Sequence, residues 1–69
     1  MDIKDRICVK ACLDHYYMIQ RVDLRRAWGD MLKARTDHMS KTAEYYRTLC
    51  RACARNLRYV RRARRAIYG

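Results

Sequence analysis

Arginine is the residue type in this chain whose spacing carries the clearest chemistry. Eight arginines fall within residues 47–65, and no acid follows Glu44. Six of them, Arg47, Arg51, Arg55, Arg58, Arg62 and Arg65, are separated by four, four, three, four and three positions. At about 100° per residue they share roughly an 80° arc of one helix face, in a row about 27 Å long. Guanidinium groups grip carboxylate or phosphate with paired hydrogen bonds and stack on rings. A merely solvated face mixes charge signs, because like charges one turn apart disfavour the helix by roughly 0.2–0.5 kcal/mol per pair. The row therefore reads as a binding surface, with phosphate and carboxylate both open as its target.

Four cysteines form two helically spaced pairs, Cys8 with Cys12 and Cys50 with Cys53. They admit three readings: small apolar core residues, a four-thiolate zinc site, or disulfides. Such pairs resemble the stapled helical hairpins of small secreted peptides, but there is no second CxxxC and the chain is long for that family. Metal-binding cysteines usually sit on tight knuckles rather than along helices. The core reading is preferred, in a reducing compartment, and neither a metal nor a cofactor is expected. His15 falls on an apolar helix face and is expected to be buried, whereas His38 lies in a polar stretch and should be exposed. Ser40, two positions from His38, would lie on a different helix face. No nucleophile–base pair and no glycine-rich phosphate loop is present, so the chain reads as a non-enzyme.

The aromatic residues are the second candidate surface. Tyr16-Tyr17 and Tyr45-Tyr46 are adjacent pairs, so one ring of each can face outward, and Tyr59, Tyr68 and Trp28 add to them. Tyrosine, tryptophan and arginine are enriched where protein interfaces bind most tightly. Tyr17, Tyr45 and Tyr46 are the expected contact residues beside the arginine row.

These groups must be carried by helices. The 69 residues contain no proline and two glycines, and nothing punctuates a sheet. The expected fold is all-α: one domain over 1–69, an antiparallel two-helix hairpin. Two helices cannot cover the apolar half of the sequence, so homodimerisation into a four-helix arrangement is expected. Asp2 and Asp5 suit a helix start. Ile3, Ile7, Cys8, Ala11, Cys12, His15, Met18, Ile19 and Val22 recur at helical spacing and are expected to form the inner face of the first helix.

Gly29-Asp30 is the preferred turn, glycine ending one helix and aspartate capping the next. It would set Cys8 against Cys53 and Cys12 against Cys50. The alternative turn is the cap-rich stretch Thr36-Asp37-His38-Met39-Ser40. The second helix carries a heptad-like seam of Leu32, Met39, Tyr46, Cys53, Val60 and Ile67, with Ala43, Cys50 and Leu57 between. Arg64 interrupts it. With the turn at 29–30, everything past residue 58 overhangs and Arg64 needs no partner within the chain.

The net charge of +10 is concentrated after residue 44, which gives that end a strong positive field. A basic amphipathic helix can also lie on a membrane, but here the apolar face is interrupted by Arg64 and is needed for folding, so no membrane partner is expected. The mixed charges of residues 1–6 and the lack of an apolar leader lead to an expected cytoplasmic location.

In size and layout the chain resembles the small plasmid-encoded hairpin dimer that binds paired RNA loops. In brevity, lack of catalytic residues and surfaces such as Tyr45-Tyr46-Arg47, it also resembles the small phage-encoded proteins that take over host regulators or motors, quorum-sensing anti-activators among them. That resemblance implies a regulator that docks on and inhibits a host macromolecule, first a protein with an acidic surface such as a transcriptional regulator or motor ATPase. The alternative is RNA or DNA binding through the arginine row. Protein is preferred because the aromatics suit a desolvated contact, and because Asn56 is the only amide of the second helix available to read bases.

Overall fold

Asp2 starts the first helix: its side chain accepts a 2.8 Å hydrogen bond from the Asp5 N–H, and its carbonyl accepts from Arg6. The computed structural model describes residues 2–68. Within them lie two helices, α1 (Ile3–Thr36) and α2 (Ser40–Tyr68), joined by a short turn and packed against each other over their length. The hairpin measures 53 × 15 × 13 Å.

The turn is at residues 37–39, the alternative position, and not at Gly29-Asp30. α1 passes through both of those residues without a break. The reason lies in the seam: Leu24, Ala27, Met31 and Ala34 continue at three- and four-residue spacing across Gly29, and the last three are buried. A glycine inside a helix costs about 1 kcal/mol, less than burying Met31 gains, at roughly 1.5–3 kcal/mol for a large apolar side chain. The actual end is a Schellman motif. Met39 N–H donates to the Ala34 carbonyl (2.8 Å) and His38 N–H to that of Arg35 (3.1 Å). His38 occupies the left-handed position at φ 59°, where glycine is usual.

This turn resets the register, so that facing residues sum to about 76 rather than 60. Asn56 donates to Gln20 across the half-buried seam at 3.2 Å. At the open end the Tyr68 hydroxyl donates to the Arg6 carbonyl (3.0 Å), and Arg6 donates back to that of Ile67 (3.2 Å). No long overhang remains past residue 58. Arg64 does have a partner, Asp14, at 3.2 Å.

The core is thin. Its buried side chains are Ala27, Met31 and Ala34 from α1 and Ala43, Cys50, Leu57 and Val60 from α2, and none among the described residues is fully enclosed. The α2 seam is as expected from Ala43 onward, with Tyr46, Cys53 and Ile67 half-buried, while Leu32 belongs to α1 and Met39 to the turn, and both are exposed. The α1 expectation is reversed. The face running from Ile3 to Val22 points away from α2, and its place in the seam is taken by Val9, Leu13, Tyr17, Gln20 and Leu24. Ile3 is 76% exposed, Ile7 63% and Met18 60%; Cys8, Cys12 and His15 are exposed as well. Moving the turn by eight residues changed which side of α1 meets α2.

Candidate functional site

α2 is continuous from Ser40 to Tyr68, and all six arginines of the row are exposed. The row does not act alone. A groove of about 1330 Å³ runs between the helices near the turn. Arg47, Arg51 and Arg61 reach it from α2, and Arg21, Arg25 and Arg35 from α1. Its floor is apolar, built from Leu24, Met31, Ala43, Cys50, Ala54 and Leu57, and Trp28 stands at its edge, 54% exposed. Glu44 is its one carboxylate among the described residues. The remaining members of the row, Arg55, Arg58, Arg62 and Arg65, lie outside the groove lining. Arg62 sits 6.0 Å over the Tyr59 ring.

The α1 arginines were legible only through the register. With facing residues summing to about 76, Arg25 stands opposite Arg51 and Trp28 opposite Thr48. A turn at 29–30 instead assigns Arg25 and Arg26 to the end of a shorter helix, as partners of its dipole, and hides the second wall.

Beside the groove, three guanidinium groups surround one phenol. Arg64, Arg21 and Arg61 lie 5.5, 5.7 and 5.9 Å from the Tyr17 ring centre, and Arg61 Nη2 donates to the Tyr17 hydroxyl oxygen at 3.4 Å. That hydrogen bond, with the charges of Arg61, Arg21 and Arg64, holds the Tyr17 phenol below its ordinary value of 10.0 against an opposing effect of burial. Asp14 supplies a counter-charge through Arg64. Its enclosed Oδ1 has that ion pair without the alignment of a hydrogen bond. Tyr17 is thus half-buried and braced by cations.

Tyr45 is 61% exposed and touches Tyr46 edge-to-face, with ring centres 5.4 Å apart. On α2, Tyr45 and Arg47 are about 200° apart, so the tyrosine pair and the groove are different surfaces. Tyr46 turns inward and is half-buried.

The cysteines do not converge. Cys50 and Cys53 stand opposite residues 26 and 23 of α1, more than ten residues along the rod from Cys12 and Cys8. At about 1.5 Å per residue that is over 15 Å, so the facing arrangement expected of a turn at 29–30, whether for zinc or for disulfides, is excluded within one chain. All four are free thiols. Cys50 and Cys53 fill the seam, and burial, then the Asp23 charge and then Cys50 push the Cys53 thiol up from its ordinary 9.0. Among the described residues, no cluster of three or more histidine, cysteine or acidic side chains could hold a metal ion, and no helix is long and apolar enough to cross a membrane.

No family model matches the chain, and neither the curated proteins nor the solved structures give a match.

Proposed function

We propose that this hairpin is a non-catalytic regulatory binding protein whose arginine-walled groove takes an acidic amphipathic helix of a target protein. The observation that carries the reading is the combination of an apolar floor with guanidinium groups on both rims. A helix laid in the groove would bury its apolar stripe on Leu24, Met31 and Leu57, and its flanking carboxylates would meet Arg21, Arg25, Arg47 and Arg51. This is helix-in-groove recognition, read through anchors one turn apart. The stretch of α1 from Arg21 to Arg35 is about 21 Å long, enough for a target helix of four turns. Occupying that helix denies it to the target's other partners, which makes the protein a stoichiometric inhibitor of the kind phage host-takeover proteins represent. The hairpin works in this reading as a homodimer.

Trp28 favours one competitor. An exposed indole among arginines is also how single-stranded nucleic acid is held, with bases stacked and phosphates paired. Trp28 is the only tryptophan of the chain, so its fluorescence reports on the groove directly. An acidic four-turn amphipathic peptide and a single-stranded oligonucleotide are titrated separately against the protein at physiological salt. Saturable change in Trp28 emission with the peptide, and none with the oligonucleotide, supports the helix reading. The reverse result assigns the groove to nucleic acid.

A further inference from the structure

α1 carries apolar residues on two opposite sides. One side, through Leu13, Leu24, Ala27, Met31 and Ala34, packs on α2. The other is centred on Ile7, Ala11, His15, Met18 and Val22, which share roughly an 80° arc about 180° away. Ile3 and Ile19, with Cys8 and Cys12, widen it. A helix with solvent on its outer side has one apolar stripe, and one that is apolar all round lies between neighbours. α2 can be only one of those neighbours.

We infer that the Ile3–Val22 face of α1 is a self-association surface, on which a second copy of this chain packs its own α1 antiparallel about a two-fold axis near Cys12. This deepens the homodimer reading above and is independent of what the groove binds. Three observations favour a second copy in this orientation. First, the hairpin exposes 5864 Å², whereas a compact monomer of 8.4 kDa exposes about 4,600 Å². The excess, about 1,250 Å², exceeds the roughly 800 Å² per partner of a standard interface. Second, the stripe is nearly symmetric under reversal about its midpoint at 12–13: Ile3 exchanges with Val22 and Ile7 with Met18. A two-fold interface requires such self-complementarity. Third, charge opposes the parallel alternative, which would set Arg21, Arg25 and Arg26 beside their own copies. Antiparallel pairing moves those clusters roughly 30 Å apart, beyond the screening length of about 8 Å at physiological salt. Each cluster then lies beside the partner's charge-balanced end, where Asp2 and Asp5 are matched by Lys4 and Arg6.

The resulting order is α2, α1, α1 of the partner, α2 of the partner: a flat row of four helices rather than a square bundle. The arginine row of each α2 remains on the outside, whereas Arg21 and Arg25 of each groove come beside the partner's amino-terminal end.

The two exposed thiols read out the geometry. In the antiparallel dimer the Cys12 positions nearly coincide along the axis, and the Cys8 positions are about 13 Å apart along it before the interhelical distance is added. The full chain, with Cys8→Ser and Cys12→Ser variants made separately, is treated with a short bis-maleimide spanning about 10 Å, the interhelical distance, and its mass in solution is measured by sedimentation. Neither site lies in the hairpin seam. The expected result is a dimer by sedimentation for all three proteins, cross-linked in the native chain and in Cys8→Ser but not in Cys12→Ser. Cross-linking retained in both variants means a parallel dimer and overturns the orientation. A dimer that cross-links in neither native chain nor variants uses another surface and overturns the proposed face. A monomer at every concentration overturns homodimerisation itself, and Trp28 titration of that monomer still decides the groove. A Met18→Asp variant that keeps its helical circular dichroism and sediments as a monomer is the confirming loss.

Discussion

Arg64 of α2 pairs with Asp14 of α1 at 3.2 Å, the one salt bridge among the described residues. Both side chains are about two-fifths exposed, so the pair itself is worth at most about 1 kcal/mol. Its importance lies in the neighbours. Asp14 is the carboxylate paired with one of the three guanidinium groups around Tyr17. Asp14→Asn is expected to destabilise the hairpin by roughly 0.5–1 kcal/mol at low salt in urea unfolding. The loss should shrink as salt screens the remaining arginine repulsion. An equal loss at all salt concentrations would mean that packing, and not charge, holds this corner.

The same cluster makes a pH prediction. The surrounding cations favour the ionised form of Tyr17 in the folded chain, so its folded pKa is below the unfolded value near 10.0. Stability from this group is absent at neutral pH, grows as pH rises through the folded value, and is complete above the unfolded one. Tyrosinate absorbance should therefore show an early component, lost in Tyr17→Phe. Replacing Arg61, whose hydrogen bond is the largest cause, by Gln should move that component upward.

The turn stores a correctable strain. His38 sits at φ 59°, a region that costs an L-residue about 1–2 kcal/mol. His38→Gly should raise stability by about 1 kcal/mol, since the Schellman hydrogen bonds involve only backbone groups. Gly29→Ala should add about 1 kcal/mol, because a Cβ there meets nothing within 4 Å. The two sites are nine residues apart in sequence, roughly 13 Å of helical rise, so their effects should sum in the double variant. A destabilised Gly29→Ala would show that the helix at that point needs glycine for a contact absent from the isolated hairpin.

These two positions also show what the sequence could and could not convey. Helix content, the hairpin and the α2 seam follow from spacing that is local to each helix, and all were legible. The turn was not, because two signals of similar strength competed. Gly29-Asp30 has the better residues for a helix end, whereas 36–40 has only cap-prone ones. What decides is the continuation of Ala27, Met31 and Ala34 across Gly29, and those residues signal burial only once α2 is set against them. Every cross-helix relationship depends on that turn: the inner face of α1, the cysteine juxtapositions, the partner of Arg64 and the second wall of the groove. The arginine row survived because it depends on α2 alone. The apolar Ile3–Val22 face is visible in the sequence, but a single partner helix offers it only one seam, which the other side of α1 occupies.

The groove separates the arginines by position, although their chemistry is identical. Arg25 and Arg51 stand opposite each other and line it, while Arg58 and Arg65 belong to the same exposed row but lie outside it. For an acidic amphipathic peptide, Arg25→Ala with Arg51→Ala should weaken binding by about 1–2 kcal/mol, the scale of losing two exposed ion pairs at the groove's rims. Arg58→Ala with Arg65→Ala removes the same net charge and should change affinity by less than about 1 kcal/mol, acting on association rate through the general field. Tyr45→Ala, on the other side of α2, should leave peptide affinity unchanged. Trp28 fluorescence titration measures all three. Equal losses from the two arginine pairs would show that net charge alone drives binding and that the groove has no privileged role.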